Sequence, residues 1–139
     1  MANDSITIDH IGIAVKSIAG MAGFYREGLR LGEAHVEEVP SQKVRTASYR
    51  LGESTLELLE PTDPASPLAG FLEKKGPGIH HIALRVEKIE AALQRLRGLG
   101  FRLIDEKPRT GAGGKKIAFV HPAAAGGVLI ALCENPDER

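Results

Sequence analysis

The chain has 139 residues, 42% hydrophobic and 26% charged, which is typical of one soluble folded domain. Its formal net charge is zero and it has no Trp, so it lacks the basic face and stacking platform of a nucleic-acid-binding protein. The single cysteine, Cys133, excludes an internal disulfide and fits a reducing cytosol. No signal peptide is visible and no apolar run approaches the ~20 residues that span a bilayer. We therefore expect a cytoplasmic protein without nucleic-acid or membrane partners.

The chain contains an internal repeat. The segment IDHIGIAVKSIAG, which starts at Ile8, resembles IHHIALRVEKIEA, which starts at Ile79, so that His10 aligns with His81. Further on, LELLEP resembles IALCENP, and a Gly-rich stretch before this match lengthens the spacing between the copies slightly. Each first segment runs from a strand into a helical stretch and is followed by a similar turn, GLRLGE in one copy and GFRLIDE in the other. Four elements, namely strand, helix, turn and last strand, therefore match in the same order and predict two copies of one β-α-β-β-β module. One copy alone would leave an unburied sheet face, so the two copies should pair.

The predicted fold class is α+β, with a single domain over residues 1–139 that is made of two paired modules. The first module covers residues 5–62 and the second covers residues 78–136. The connector, residues 63–77, contains a short helix, because Ser66 and Pro67 suit a helix start and Gly76 suits its end.

In the first module, residues 6–15 alternate around His10 and predict a strand. Ser17 is a plausible N-cap for a helix whose inward stripe is Ile18, Met21, Ala22, Tyr25 and Leu29. Residues 44–51 and 55–59, separated by the turn Gly52-Glu53-Ser54, predict a hairpin.

The second module repeats this pattern. Residues 79–86 predict a strand, and a helix follows from Lys88 to a C-cap at Gly100. Three further strands are expected near residues 102–105, 116–120 and 128–133. The inward positions of the helix are Ile89, Ala92, Leu93, Leu96 and Leu99.

His10 and His81 occupy equivalent positions in the two copies. Residues at equivalent strand positions in paired modules face a shared cleft. Glu57 interrupts the apolar run Leu56 to Leu59, and a charge among buried neighbours is costly unless something compensates it. A divalent cation held by His10, Glu57 and His81 would compensate it, and this donor set suits Zn, Co, Ni, Mn or Fe(II).

Simpler interpretations exist for each of these residues. A lone strand histidine usually makes an ordinary hydrogen bond, and it is the repeat partner that favours a metal ligand here. Glu57 could instead point to solvent. His80 should face away from His81, since neighbouring side chains of a strand point to opposite faces. Four further candidate residues also have structural interpretations. His35 and His121 lie beside turns, Tyr25 fits the helix stripe, and Cys133 is expected to be a small buried hydrophobe.

These residues resemble those of a known family. IDHIGIAV, LELLEPT, GIHHIALRV, GKKIAFVHP and GGVLI resemble segments of the vicinal oxygen chelate (glyoxalase/bleomycin-resistance/dioxygenase) superfamily, and within it methylmalonyl-CoA epimerases. The resemblance implies a curved mixed sheet around a divalent metal (Co, Zn, Mn, Mg or Ni), a homodimer and a 2-methylmalonyl thioester of coenzyme A as substrate. It also matches His10, Glu57 and His81 to three of the family's metal ligands.

The chain departs from that family at Ala131. Relatives usually end in a strand of the type Val-Leu-Ile-Glu-Leu, whose glutamate is the fourth ligand and a candidate base, whereas this chain has Ala131 there. Ala131 is also the repeat counterpart of Glu57, and Glu134 lies on the opposite face of a regular strand. At Thr46 some epimerases have a glutamate that is proposed as the opposing base.

Epimerisation removes a proton from the carbon alpha to the thioester and returns it to the other face. Glu57 is the only matched carboxylate left for this task, and a metal-bound carboxylate is a poor base. The sequence therefore predicts an epimerase in which Ala131 impairs proton transfer. Two alternatives are a non-catalytic or inactivated thioester-binding protein and Fe(II) dioxygenase-type chemistry at a His-His-Glu site.

The basic loop KPRTGAGGKK is a candidate for binding the acyl-CoA phosphates. Its cations are Lys107, Arg109, Lys115 and Lys116. An ordinary solvated connection between strands explains the same composition.

Overall fold

The computed structural model describes residues 6–136 and contains eight strands and two α-helices. The strands form one hydrogen-bonded sheet in the order β2-β3-β4-β1-β5-β8-β7-β6. Their bounds are β1 Thr7–Ala14, β2 His35–Val39, β3 Val44–Leu51, β4 Ser54–Pro61, β5 Gly78–Arg85, β6 Arg109–Thr110, β7 Lys116–Val120 and β8 Ile130–Glu134. The helices are α1 Pro67–Lys75 and α2 Ile89–Gly98. The predicted α+β class is confirmed.

The described chain divides into two compact units. Residues 10–80 form one unit, and residues 81–136 together with residues 6–9 form the other. The first contains the strand order β2-β3-β4-β1 and the second contains β6-β7-β8-β5. In both, the first strand of the copy pairs in parallel with the last, and the remaining pairs are antiparallel. The internal repeat is therefore present in the topology.

The strand register supports the residue equivalences of the repeat. Glu57 pairs with Gly12 on β1 and with Ser48 on β3. Ala131 pairs with Ala83 on β5 and with Phe119 on β7. In the alignment of the two copies, Ala83 is the equivalent of Gly12, and Phe119 is the equivalent of Ser48. The positions of Glu57 and Ala131 are therefore structurally equivalent.

The predicted helix of the first module is wrong in type. Ala19–Met21 forms a 3₁₀ turn and Gly23–Gly28 a π-helical segment, in which the Leu29 amide donates to the Phe24 carbonyl. Neither segment has the period of an α-helix, which changes the side chains that face inward, and Met21 and Leu29 are exposed. Three glycines between residues 20 and 28 weaken the α-helix here.

The two α-helices follow the prediction more closely. The Ser66 hydroxyl accepts a hydrogen bond from the Leu68 amide and caps α1. In α2, Ile89 and Leu93 are fully buried, but Leu99 is exposed because the helix ends one residue before it. Gly100 follows with a left-handed φ of 88°, as expected of a glycine that stops a helix.

The strand predicted at residues 102–105 is also wrong. Only Leu103 forms an isolated bridge, to Val120, and the edge strand β6 lies further on, at Arg109–Thr110. The Asp105 carboxylate accepts a hydrogen bond from the Phe119 amide, so a side chain takes the place of a backbone partner.

The hairpin β3–β4 and strand β7 are confirmed, β8 begins two residues later than predicted, and β2 was not predicted.

In each unit, a glutamate of the last strand caps the helical segment that follows the first strand. The Glu60 carboxylate accepts a 2.7 Å hydrogen bond from the Ile18 amide. The Glu134 carboxylate accepts a 2.9 Å hydrogen bond from the Ile89 amide at the start of α2. Both bonds satisfy an amide that has no partner within its helix. Glu60 and Glu134 are repeat equivalents, so this device is part of the module.

No helix in the described range 6–136 is long and apolar enough to cross a membrane.

Candidate metal centre

Two of the predicted ligands lie on adjacent strands of one unit. His10 is on β1 and Glu57 on β4, and both are buried. The parallel register places Glu57 beside Gly12, two residues from His10. Side chains alternate along a strand, so positions 10 and 12 of β1 lie on the same face of the sheet. Glu57, which pairs with Gly12, is therefore on the same face as His10. The His10 Nε2 atom lies 3.7 Å from the Glu57 Oε1 atom.

The third predicted ligand, His81, lies on β5 and is buried. Its ring lies at 86° to the ring of Phe119 on β7, with ring centroids 5.5 Å apart. His10, Glu57 and His81 each offer one ligand atom, and these atoms all lie within 4.8 Å of one another. The structure therefore brings together the three residues that the sequence singled out.

The chemistry of these three residues fits a divalent cation. Two imidazole nitrogens and one carboxylate are a donor set for first-row transition metals. The exposed fractions are 4% for His10, 9% for Glu57 and 5% for His81, so the carboxylate is largely removed from water. A buried carboxylate is costly unless it is paired, and a cation within reach of all three atoms would stabilise it.

The second unit offers no carboxylate at the position equivalent to Glu57. Ala131 is fully buried, and it packs in an apolar cluster with Ala83, Ile117 and Cys133, against which Phe119 packs. The equivalents in the first unit are more polar, because Thr46 and Ser48 stand where the second unit has Ile117 and Phe119. The repeat is symmetric in topology and asymmetric in chemistry.

Glu134, Thr46 and Cys133 do not supply the base that Ala131 lacks. The Glu134 carboxylate is bonded to the Ile89 amide, and the Thr46 hydroxyl donates to the Glu37 carbonyl at 3.3 Å. Burial, together with the charge of Asp9, raises the pKa of the Cys133 thiol to about 12. The thiol is therefore protonated at neutral pH and cannot accept a proton.

The other histidines and Tyr25 lie where a structural role explains them. The His80 ring packs edge-on against Phe71 at 4.8 Å, and burial lowers its pKa. His35 is exposed on β2, beside Glu37. The His121 Nδ1 atom accepts a hydrogen bond from the Ala123 amide. Tyr25 is half-buried and stacks on Tyr49.

The four cations of the basic loop lie in different surroundings. Lys107 and Lys116 are exposed. The Arg109 guanidinium lies over the Phe119 ring, 5.4 Å from its centroid, and pairs with Asp105 at 3.3 Å. Lys115 instead reaches the buried Asp9, with its Nζ atom 2.7 Å from Oδ2.

Sequence reasoning missed Asp9. Its side chain is fully buried and pairs with both Arg85 and Lys115. The sequence does contain a sign of its burial, because Asp9 is a charged residue in an otherwise apolar strand between Ile8 and Ile11. Glu57 was singled out for the same reason in its own strand. Its partners were not predictable, since they lie 76 and 106 residues further along the chain.

Comparisons with known proteins agree with this fold. Residues 9–119 match the model of the Glyoxalase/Bleomycin resistance protein/Dioxygenase superfamily. An uncharacterized Bacillus subtilis protein, YqjC, is 49% identical over 132 residues, which cover 95% of this chain and 94% of that protein. The human mitochondrial methylmalonyl-CoA epimerase is 37% identical over 126 residues, 90% of this chain and 72% of that one.

A solved structure of a single-residue variant of Streptomyces coelicolor methylmalonyl-CoA epimerase, in complex with 2-nitronate-propionyl-CoA, superposes with a TM-score of 0.88. It is 36% identical, and the match covers 93% of this chain and 94% of that one. The superfamily resemblance and the similarity to epimerases are both confirmed. The chain belongs to the glyoxalase/bleomycin resistance protein/dioxygenase superfamily.

Proposed function

We propose that this protein binds a divalent cation through His10, Glu57 and His81 and epimerises methylmalonyl-CoA at its alpha carbon, with slow proton transfer. The observation that carries the proposal is the group of three buried ligand atoms within 4.8 Å of one another. The epimerase relatives, one of them solved with an acyl-CoA analogue, support the substrate class.

The chemistry divides between the cation and the protein. A divalent cation at this site, when bound, supplies positive charge where negative charge develops as the alpha proton leaves. His10 and His81 orient the site, since both rings are buried and therefore restricted. Metal identity stays a prediction, with Co, Zn, Mn, Mg and Ni as the candidates.

Proton transfer is the step that this chain should perform poorly. Glu57 is the one carboxylate of the ligand group, and a ligand carboxylate is a weak base. The equivalent position in the other unit is Ala131, which can neither accept nor donate a proton. Thr46 donates its hydroxyl to a backbone carbonyl. Within the described residues 6–136, the ligand group therefore has the donors that hold a cation and no carboxylate besides Glu57.

We propose that Lys107, Arg109 and Lys116 attract the phosphates of the coenzyme A portion. Arg109 is the best supported of the three, because its guanidinium packs on Phe119 and Phe119 packs on His81. A homodimer, which the family resemblance implies, stays a prediction.

The direct test is hydrogen exchange at the alpha carbon of methylmalonyl-CoA in deuterated buffer. Metal-loaded protein is expected to exchange this proton faster than buffer, and the chelated protein is expected to match buffer. A His10→Ala variant serves as the control because it removes one ligand. Exchange at the buffer rate by the metal-loaded protein would contradict the proposed activity.

A second candidate function is favoured by Ala131 itself. A protein that binds the thioester without turnover has no need of a carboxylate at this position. In that case the metal-loaded protein would bind methylmalonyl-CoA but leave its alpha proton in place. Isothermal titration beside the exchange measurement separates binding from catalysis.

A further inference from the structure

A buried ion cluster in the second unit has no assigned role. The Asp9 side chain is 0% exposed. Its Oδ1 atom lies 2.8 Å from Arg85 Nη2 and accepts a 3.0 Å hydrogen bond from Arg85 Nε. Its Oδ2 atom accepts a 2.7 Å hydrogen bond from Lys115 Nζ. One carboxylate therefore holds two cations in fixed positions.

The charges of this cluster do not balance. Arg85 and Lys115 carry two positive charges and Asp9 carries one negative charge. Within residues 6–136, neither cation makes an ion pair with a second carboxylate. The Cys133 thiol, which hydrogen-bonds to Asp9, is neutral because its pKa is raised to about 12, mainly by burial. The cluster has a net charge of about +1.

Part of each cation faces solvent. The side chains of Arg85 and Lys115 are 34% and 27% exposed. A guanidinium has five N–H donors and an ammonium has three, and Asp9 engages only part of them. The remaining donors are held by a buried anchor, so an oxyanion could bind them with little loss of side-chain freedom.

The fold of the module does not require this cluster. In the alignment that pairs His10 with His81, the equivalents of Arg85 and Lys115 are Ala14 and Val44, which are both buried and apolar. The equivalent of Asp9 is His80, which packs against an aromatic ring of α1. The same topology therefore forms in the first unit without these charges, which favours a functional role over a structural one.

The cluster lies close in the chain to the candidate metal ligands. Asp9 directly precedes His10, and Arg85 is on the same strand as His81, four residues later, so the two side chains share one side of β5. Lys115 follows a tight turn in which Gly113 and Gly114 have left-handed φ angles of 71° and 75°. These glycines allow the chain to turn so that Lys115 reaches Asp9.

We propose that Arg85 and Lys115, anchored by Asp9, form an oxyanion subsite for an acyl-CoA, and this inference rests on the proposed function. The ligand group is a carboxylate or a phosphate, because guanidinium and ammonium donors bind both. The acyl carboxylate and the coenzyme A phosphates are the two sources of such a group in the substrate.

The test compares two probes by isothermal titration. Free coenzyme A carries the phosphates without the acyl carboxylate, and malonyl-pantetheine carries the carboxylate without the phosphates. The variant is Arg85→Gln/Lys115→Gln. The control, Lys88→Gln/Arg102→Gln, removes the same charge from two exposed residues of the same unit. The subsite variant should bind one probe about tenfold more weakly or worse, whereas the control should match wild type.

The outcomes are distinct. Weaker binding of coenzyme A alone identifies a phosphate subsite, and weaker binding of malonyl-pantetheine alone identifies a carboxylate subsite. Unchanged affinity for both probes, or an equal loss in the control pair, overturns the inference and leaves the proposed function intact. Wild-type protein that binds neither probe overturns both. If the double variant does not fold, Lys115→Gln and Arg85→Lys, checked by circular dichroism, replace it.

Discussion

Glu57 and Ala131 occupy equivalent strand positions but differ in chemistry. Each lies in the same register between a first-strand residue and a hairpin residue of its own unit. Glu57 joins the two histidines in a group that fits a cation, whereas Ala131 joins an apolar cluster. The two positions share a register but differ in chemistry, because Glu57 lies beside Ser48 whereas Ala131 lies beside Phe119.

Replacing Ala131 with glutamate tests this difference. Ala131→Glu should raise alpha-proton exchange on methylmalonyl-CoA by ~10²-fold or more, the usual contribution of a positioned base. Mass spectrometry of methylmalonyl-CoA, after the exchange reaction is stopped at set times, measures the rate of deuterium uptake. Ala131→Gln is the matched control, because it has the same size without a basic carboxylate. A gain of equal size in both variants would contradict a base at this position.

Cys133 should be unreactive in the folded protein. Its pKa is raised from 9.0 to about 12, so the thiolate is scarce below that pH. Iodoacetamide at pH 8 should leave the native thiol unmodified over a time in which the urea-unfolded protein is fully alkylated. Mass spectrometry of the intact chain gives the readout. Rapid alkylation of the native protein would contradict the buried environment of Cys133.

At the scale of elements, the same carboxylate-to-amide bond joins the last strand of each unit to the helical segment that follows the first strand. Glu60 and Glu134 make these bonds. The pairing links residues 42 and 45 positions apart, so it stabilises the arrangement of strand and helix as well as the helix end. The hydrogen bond to the Ile89 amide also occupies the Glu134 carboxylate, which is therefore not available to the candidate metal site.

Removing the Glu134 cap should destabilise the protein. Glu134→Ala leaves the Ile89 amide without its acceptor and should lower the free energy of unfolding by about 1 kcal/mol, as for other lost N-terminal caps. Urea denaturation measures the change. Glu53→Ala, in the exposed turn between β3 and β4, is the control and should change stability by less than about 0.5 kcal/mol. Equal effects of the two substitutions would contradict the capping role.

The elements also show which parts of the fold the sequence could predict. The β3–β4 hairpin and α1 were predictable because local turn and cap residues determine them. The segment after Ser17 was not, because an apolar stripe does not distinguish an α-helix from a π-helical turn. The strand predicted at residues 102–105 is wrong because the Asp105 side chain accepts the Phe119 amide hydrogen bond, which hydrophobic periodicity does not reveal.

At the scale of the whole molecule, the repeat is the feature that made the candidate site predictable. Aligning the chain with itself makes His10 equivalent to His81. The strand register agrees, because Gly12 pairs with Glu57 and Ala83 pairs with Ala131 in the same relative positions. The Asp9 cluster was not predictable in this way. It has no counterpart in the first unit, and its three residues come from distant parts of the chain.

Metal binding should stabilise the folded protein as a whole. A cation that binds the native state alone adds about 2.7 kcal/mol when its free concentration is a hundred times its dissociation constant. Thermal unfolding followed by circular dichroism should therefore show a higher Tm with the preferred metal than with a chelator. The Glu57→Ala variant should lose this difference. A Tm that is the same with metal and chelator would contradict a specific site.

The most direct measurement is the metal content of the purified protein and of three single-ligand variants, by elemental analysis after equilibrium dialysis against a divalent metal. The account predicts about one ion per chain in wild type and a large loss in His10→Ala, Glu57→Ala and His81→Ala, each of them folded by circular dichroism. One ion per chain in all three variants, or none in wild type, would show that these residues do not hold a common ion.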